Sequence, residues 1–347
     1  MKRNFLVFTL LTCFLIISSA CGPNPEEQLA TAIENGDYAT VKTLMEQGVD
    51  IDTRLANGRT IFIHAAEDGQ KEIVEMLLKE SVKVDSKDMS GHAALNLAAA
   101  NGHTEVVSLL LDAGADPDLN DSDGKTALMA ASAAGHLDTV KMLNEKGADL
   151  SKSDNGSQSA LFHAAIEGKD EVVSYLIEQQ IDVDQQNFEG CTALVLAAAN
   201  GHGEVVKALL EGGAKVHSID KEGCTALMRA AENGHLEATR HLVEHDAGID
   251  ARDRTDRTPL MRAAEKGEAD VVEFLVSEDA DVNACDKSMQ TALLWASLRG
   301  HADVVKILVE NRADLDAADK NGWTPLKWAE SKGHTDTIAL LKEAGAE

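Results

Sequence analysis

Thr225-Ala226-Leu227-Met228-Arg229-Ala230-Ala231, closed by Gly234-His235, decides the fold of this 347-residue chain. Its apolar residues fall at helical spacing, and a glycine placed just past them reads as a helix C-cap. The same glycine recurs at Gly36, Gly69, Gly102, Gly135, Gly168, Gly201, Gly234, Gly267, Gly300 and Gly333, always 33 residues apart. A leucine keeps the same register at Leu29, Leu95, Leu128, Leu161, Leu194, Leu227, Leu260, Leu293 and Leu326, with Phe62 filling the one gap. After each glycine comes a second apolar segment such as Glu105-Val106-Val107-Ser108-Leu109-Leu110-Leu111, then a polar turn such as Asp121-Ser122-Asp123-Gly124-Lys125. The Asp-x-x-Gly turn is a hairpin signal.

A 33-residue unit of turn plus two short helices resembles the ankyrin repeat. The T-P-L-H-x-A-A consensus of that family is nearest at Thr258-Pro259-Leu260-Met261-Arg262-Ala263-Ala264 and at Thr324-Pro325-Leu326-Lys327-Trp328-Ala329. The family's Gly-His step stands at 102–103, 135–136, 201–202, 234–235, 300–301 and 333–334. The resemblance covers Glu27 to Glu347 in unbroken register. It implies an all-α solenoid of about ten stacked helix-turn-helix repeats with short β-hairpin loops, including both caps. Stacking is obligatory, because one helix pair cannot bury its apolar face alone. One departure is systematic. The consensus histidine, which in the family bonds neighbouring loops, is replaced by Ile63, Asn96, Met129, Phe162, Val195, Met228, Met261, Leu294 and Lys327.

Residues 1–20 read as a secretory signal: basic Lys2-Arg3, an apolar run from Phe5 to Ile17, then Ser18-Ser19-Ala20-Cys21. The apolar run is too short to span a bilayer, which takes about 20 residues. The end of the signal resembles a bacterial lipobox, with Ser18 where the family usually has leucine. That resemblance implies cleavage before Cys21 and lipidation of it, with residues 21–26 as a short tether and 27–347 as the repeat domain. An ordinary signal cut after Ala20 is the alternative, which would leave a soluble periplasmic or secreted protein. Gly22 after the cysteine suits the outer membrane.

The formal charge of -27 disfavours nucleic acid. An aromatic content of 3% suits thin layers of Ala, Leu and Val. Repetition argues against a catalytic centre: equivalent residues lie about 10 Å apart in stacked repeats, beyond hydrogen-bond reach. No Walker loop, G-x-G-x-x-G or G-x-S-x-G is present, and no cofactor is expected. His241 and His245, four apart, form a possible metal pair, but no H-E-x-x-H surrounds them and two ligands rarely suffice, so surface histidines are the better reading. Cys191 and Cys224 are one repeat apart, a separation that disfavours a disulfide; Cys285 has no obvious mate. The expected function is a non-catalytic, monomeric scaffold that binds a protein through its hairpin tips and concave face. An inhibitor or stress-protective accessory of an envelope enzyme is the other reading. All three tryptophans, Trp295, Trp323 and Trp328, fall in the last two repeats, with Arg229, Arg257, Arg262 and Arg299 nearby in register. Trp and Arg dominate binding hot spots, so Arg257, Trp295, Trp323, Arg229, Arg262 and Arg299 are the expected contact residues. Ordinary cap packing is the competing account of Trp328.

Overall fold

The computed structural model describes residues 24–54 and 58–346. The expected signal (1–20) and Cys21 lie outside them, as does most of the tether. Twenty helices follow in ten pairs: α1 Pro25–Glu34 and α2 Tyr38–Glu46, α3 Ile61–Glu67 and α4 Lys71–Leu78, α5 Ala94–Ala100 and α6 Thr104–Asp112, α7 Ala127–Ala134 and α8 Leu137–Glu145, α9 Ala160–Ile166 and α10 Asp170–Glu178, α11 Ala193–Asn200 and α12 Gly203–Glu211, α13 Ala226–Glu232 and α14 Leu236–Glu244, α15 Pro259–Lys266 and α16 Ala269–Ser277, α17 Ala292–Arg299 and α18 Ala302–Glu310, α19 Pro325–Lys332 and α20 Thr335–Glu343.

The chain forms two compact units, one comprising Met1–Leu128 with Lys141–Ala148, the other Met129–Val140 with Asp149–Glu347. In the first, α1, α3 and α5 pack side by side in sequence, as do α2, α4 and α6. In the second, the series α9, α11, α13, α15, α17, α19 forms one layer and α10, α12, α14, α16, α18, α20 the other.

Six of the first helices start on a threonine cap dictated by sequence. Thr60, Thr192, Thr225, Thr258, Thr291 and Thr324 are extended, and each hydroxyl accepts the backbone N–H three residues on at 3.3–3.4 Å, satisfying a donor that the helix leaves unpaired. Ala93 has no hydroxyl. There Asn96 substitutes: its Oδ1 accepts the Ala93 N–H at 3.0 Å, and its Nδ2 donates to the Leu119 carbonyl at 3.1 Å. Pro259 and Pro325 open their helices, where the missing N–H costs nothing.

The core is built from the repeat itself. Leu227, Ala230 and Ala231 are fully buried, as are Ala238 and Leu242 of the same repeat's second helix, and the equivalent positions of the inner repeats are buried too; in the outermost repeats Thr40 is half-buried and Glu330 exposed. Paired alanines let neighbouring first helices approach closely, which accounts for a core nearly free of rings. The exceptions, Phe62, Phe162, Phe274 and Trp295, are buried.

The expected β-hairpins resolve as turns. Among the described residues the only bridges are the isolated pairs Arg54–Thr60 and Ile219–Thr225. The turns are closed by their aspartates: Asp220 Oδ1 accepts the N–H groups of Glu222 and Cys224, both at 2.9 Å. The tips are nevertheless linked from repeat to repeat by single backbone bonds: Lys221 N–H to Glu189 O at 3.0 Å, Arg254 to Glu222 at 3.3 Å, Lys287 to Thr255 at 3.0 Å and Lys320 to Ser288 at 3.1 Å. The stack of turns therefore holds without the consensus histidine.

The Gly-His steps add a second link. Nε2 of His103, His202, His235, His301 and His334 lies 2.8–3.2 Å from the carbonyl oxygen of Glu67, Ile166, Ala199, Glu265 and Leu298 in the preceding repeat. A carbonyl only accepts, so Nε2 must carry the proton.

Candidate partner-binding surface

The turn aspartates have a second partner nine residues on, at the middle of the first helix. Asp220 Oδ2 accepts Arg229 Nε at 2.9 Å and Nη2 at 2.5 Å. Asp253 Oδ2 accepts Arg262 at 3.1 and 2.5 Å. Asp286 Oδ2 accepts the indole N–H of Trp295 at 3.2 Å, Asp319 that of Trp328 at 3.2 Å, and Asp154 pairs with His163 at 2.9 Å. This position adjoins the one from which the consensus histidine is missing. Arg, Trp and His serve equally because each presents an N–H at the same height above the turn. Sequence reasoning passed over this link; aspartate and a donor recurring nine apart at the 33-residue step would have pointed to it.

Of the expected contact residues, three are turned inward. Arg229 is shared among Asp220, Glu222 at 2.8 Å and Glu232 at 3.4 Å. Arg262, with 11% of its side chain exposed, holds Asp253 and, at 2.9 Å, Glu232. Trp295 is buried. Arg257 lies over the Trp295 ring at 4.1 Å and pairs with Glu265 at 2.8 Å. Arg299 reaches the same Glu265 at 2.6 Å yet keeps 51% of its side chain exposed. Trp323 packs on Trp328 with ring centroids 4.7 Å apart, tilted by 39°. The structure thus gathers Arg229 with Arg262 around Glu232, and Arg257, Trp295 and Arg299 around Glu265. Trp323 stands apart with Trp328.

Burial opposes ionisation of Asp253. Hydrogen bonds from the Thr255 hydroxyl, the Arg257 N–H and the Arg262 guanidinium outweigh it and hold the carboxyl below the usual carboxylate range. For the arginines, desolvation likewise works against the charge and the carboxylates overcome it, so Arg229 and Arg262 stay more firmly protonated than a free guanidinium. Cys191, Cys224 and Cys285 are free thiols. Burial pushes the Cys224 thiol up to about 11 and raises Cys191, which makes both poor nucleophiles at neutral pH.

Tips and first helices of adjacent repeats meet in a groove of about 420 Å³, lined by Glu189, Cys191, Leu196, Lys221, Glu232 and Asn233 among others. Two sets of ligand atoms, His64/Glu67/Asp68 and Glu204/Glu237/His241, lie close enough for a metal ion. Glu67 is already paired with Arg59, and Glu204 and Glu237 are exposed. The His245 Nδ1 lies 2.8 Å from the His241 carbonyl, so that histidine closes its own helix.

A family model described as Ankyrin repeats (3 copies) matches residues 29–121, 84–154, 146–220, 194–286 and 278–347. Among solved structures the chain is similar to the crystal structure of the human ASB11 ankyrin repeat domain, at 24% identity and a TM-score of 0.60, over 64% of this chain and 99% of that one. No curated protein matches it.

Proposed function

Because this chain belongs to the ankyrin-repeat family, whose repeats generally mediate protein–protein interaction, we propose that it is a non-catalytic scaffold holding one protein partner along its turn tips and first helices. The observation that carries this is the groove between adjacent repeats, where tip and helix residues such as Glu189, Lys221, Glu222 and Asn233 reach solvent together. Only side chains on a constant frame need change to alter what binds there.

The proposal includes the place of action. The basic start, the apolar run and Ser18-Ser19-Ala20-Cys21 support export and a lipid on Cys21. Several acyl chains on one residue anchor stably where one is marginal. The tether 21–26 would then hold the repeats close to the periplasmic face of a bacterial envelope, with the outer membrane favoured by Gly22. Removal of residues 1–20 takes away Lys2 and Arg3 and no acid, so the charge goes from -27 to -29.

Two measurements test this. Radiolabelled palmitate should label the protein and fail to label Cys21→Ala; labelling of both, or of neither, removes the anchor. Affinity capture from the envelope fraction should retain one protein at a defined stoichiometry, whereas capture of nothing above background contradicts the scaffold itself.

A further inference from the structure

The turn and first helix that line the groove at residues 189–233 recur in later repeats with the opposite sign of charge. In residues 154–168, 187–201 and 220–234, each a turn plus its first helix, six Asp and Glu stand against two Lys and Arg. In the equivalent residues 253–267, 286–300 and 319–333, six acids stand against nine bases, in a chain of net charge -27. The reversal is positional. Lys221 on the groove's tip side becomes Arg254, Lys287 and Lys320; Asn233 on its helix side becomes Lys266, Arg299 and Lys332. Glu189 and Glu222 on the tip side become Thr255, Ser288 and Asn321, and Glu232 becomes Leu298 and Ser331 after Glu265. All six of those cations are exposed.

The acids of the same segments are mostly spent. Asp253, Asp286 and Asp319 are buried in their turns. Glu265 holds Arg257 and Arg299, and Glu330 holds Lys342 at 2.8 Å. The cations are spent less. Lys287 Nζ donates to the Arg254 carbonyl at 2.6 Å, which leaves its charge uncancelled, and Lys266 has Glu232 at 3.7 Å. Lys332 lies 5.9 Å from the Trp328 ring, and half-buried Trp323 packs on that ring with centroids 4.7 Å apart.

We propose that these two rows of cations, 254/287/320 and 266/299/332, receive an acidic polypeptide segment laid along the last three repeats, with an apolar side chain set against Trp323. This rests on the scaffold reading and names its partner's chemistry. A polypeptide fits better than a nucleic acid or an anionic bilayer. Its charge is sparse and can follow two rows, whereas the chain's overall -27 repels a dense polyanion.

The test uses the full chain and a fluorescein-labelled peptide of alternating glutamate and leucine, read by anisotropy at low and at physiological salt. Saturable binding is expected, weakening with salt. Lys266→Glu/Arg299→Glu/Lys332→Glu and, separately, Arg254→Glu/Lys287→Glu/Lys320→Glu should each lower affinity by about tenfold or more. Lys42→Glu/Lys79→Glu/Lys306→Glu, with the same change of charge on second helices and their ends, should change it by less than about twofold. Equal loss in all three variants overturns the proposal. So does absence of saturable binding by the unaltered chain, or equal binding of the matching lysine–leucine peptide. Preferential binding of phosphatidylglycerol vesicles or single-stranded DNA, abolished by the same variants, overturns it in favour of those polyanions. If the protein captured from the envelope binds all variants equally, the scaffold reading stands and this inference falls.

Discussion

Asp253 does two jobs with one carboxylate. Oδ1 accepts the Thr255 N–H at 2.6 Å and the Arg257 N–H at 3.1 Å, closing the turn, while Oδ2 accepts Arg262 from the first helix. Asparagine keeps the first role and loses the charge of the second, leaving the half-buried Arg262 guanidinium with Glu232 as its one remaining carboxylate. Asp253→Asn should therefore lower stability by about 3 kcal/mol, read as a shift of the urea midpoint; a shift under about 0.5 kcal/mol would show the pair to be incidental. The same group sets an acid limit. Its carboxyl, like that of buried Asp88, is held below the usual range in the folded chain. A depressed native value gives stability that is present above the unfolded value of about 3.9 and is lost as pH falls through the native one. The urea midpoint should stay level from pH 7 to 5 and drop below about pH 4, and the drop should be smaller in Asp253→Asn. None of this was legible beforehand. A turn aspartate signals a turn, but its tie to residue 262 has no hydrophobic period to betray it, and the partner varies among Arg, Trp and His.

At the scale of an element, the Gly-His step joins one repeat to the next. Gly201 has φ +80°, and a Cβ there would come within 2.5 Å of His235 Nδ1. The glycine is needed both for the left-handed cap and for the imidazole stacked on it. Gly201→Ala should cost about 2 kcal/mol, and His235→Ala about 1 kcal/mol through the lost bond to the Ala199 carbonyl. Since the alanine Cβ strikes that imidazole, the double variant should be more stable than the sum by at least about 0.5 kcal/mol; strict additivity in urea melts would contradict the contact. Here the sequence was transparent. Glycine and histidine recur every 33 residues, and the leucine register named the buried face. The absence of strands among the described residues was not legible, because Asp-x-x-Gly fits a hairpin and a carboxylate-closed turn equally.

For the whole molecule, net charge is a property of the chain rather than of any one repeat. The repeat count was readable end to end, since every step is 33 residues with no insertion. The placement of the tryptophans and arginines was readable only in part. Composition singled out Trp and Arg in the last repeats, but burial separates those that brace the turns, Arg229, Arg262 and Trp295, from exposed Arg299 and half-buried Trp323. Trp323→Ala should weaken a partner at least about tenfold and leave the urea midpoint within about 1 kcal/mol. Arg257→Ala, which also uncovers Trp295 and frees Glu265, should lower both. The measurement that bears most directly on the scaffold reading is site-specific photocrosslinking in cells that produce the protein, with a benzophenone side chain placed at residue 323 or at residue 306 on α18. The account predicts a discrete protein adduct from position 323 and none from 306. Adducts from 306 alone, or none from 323, would contradict it.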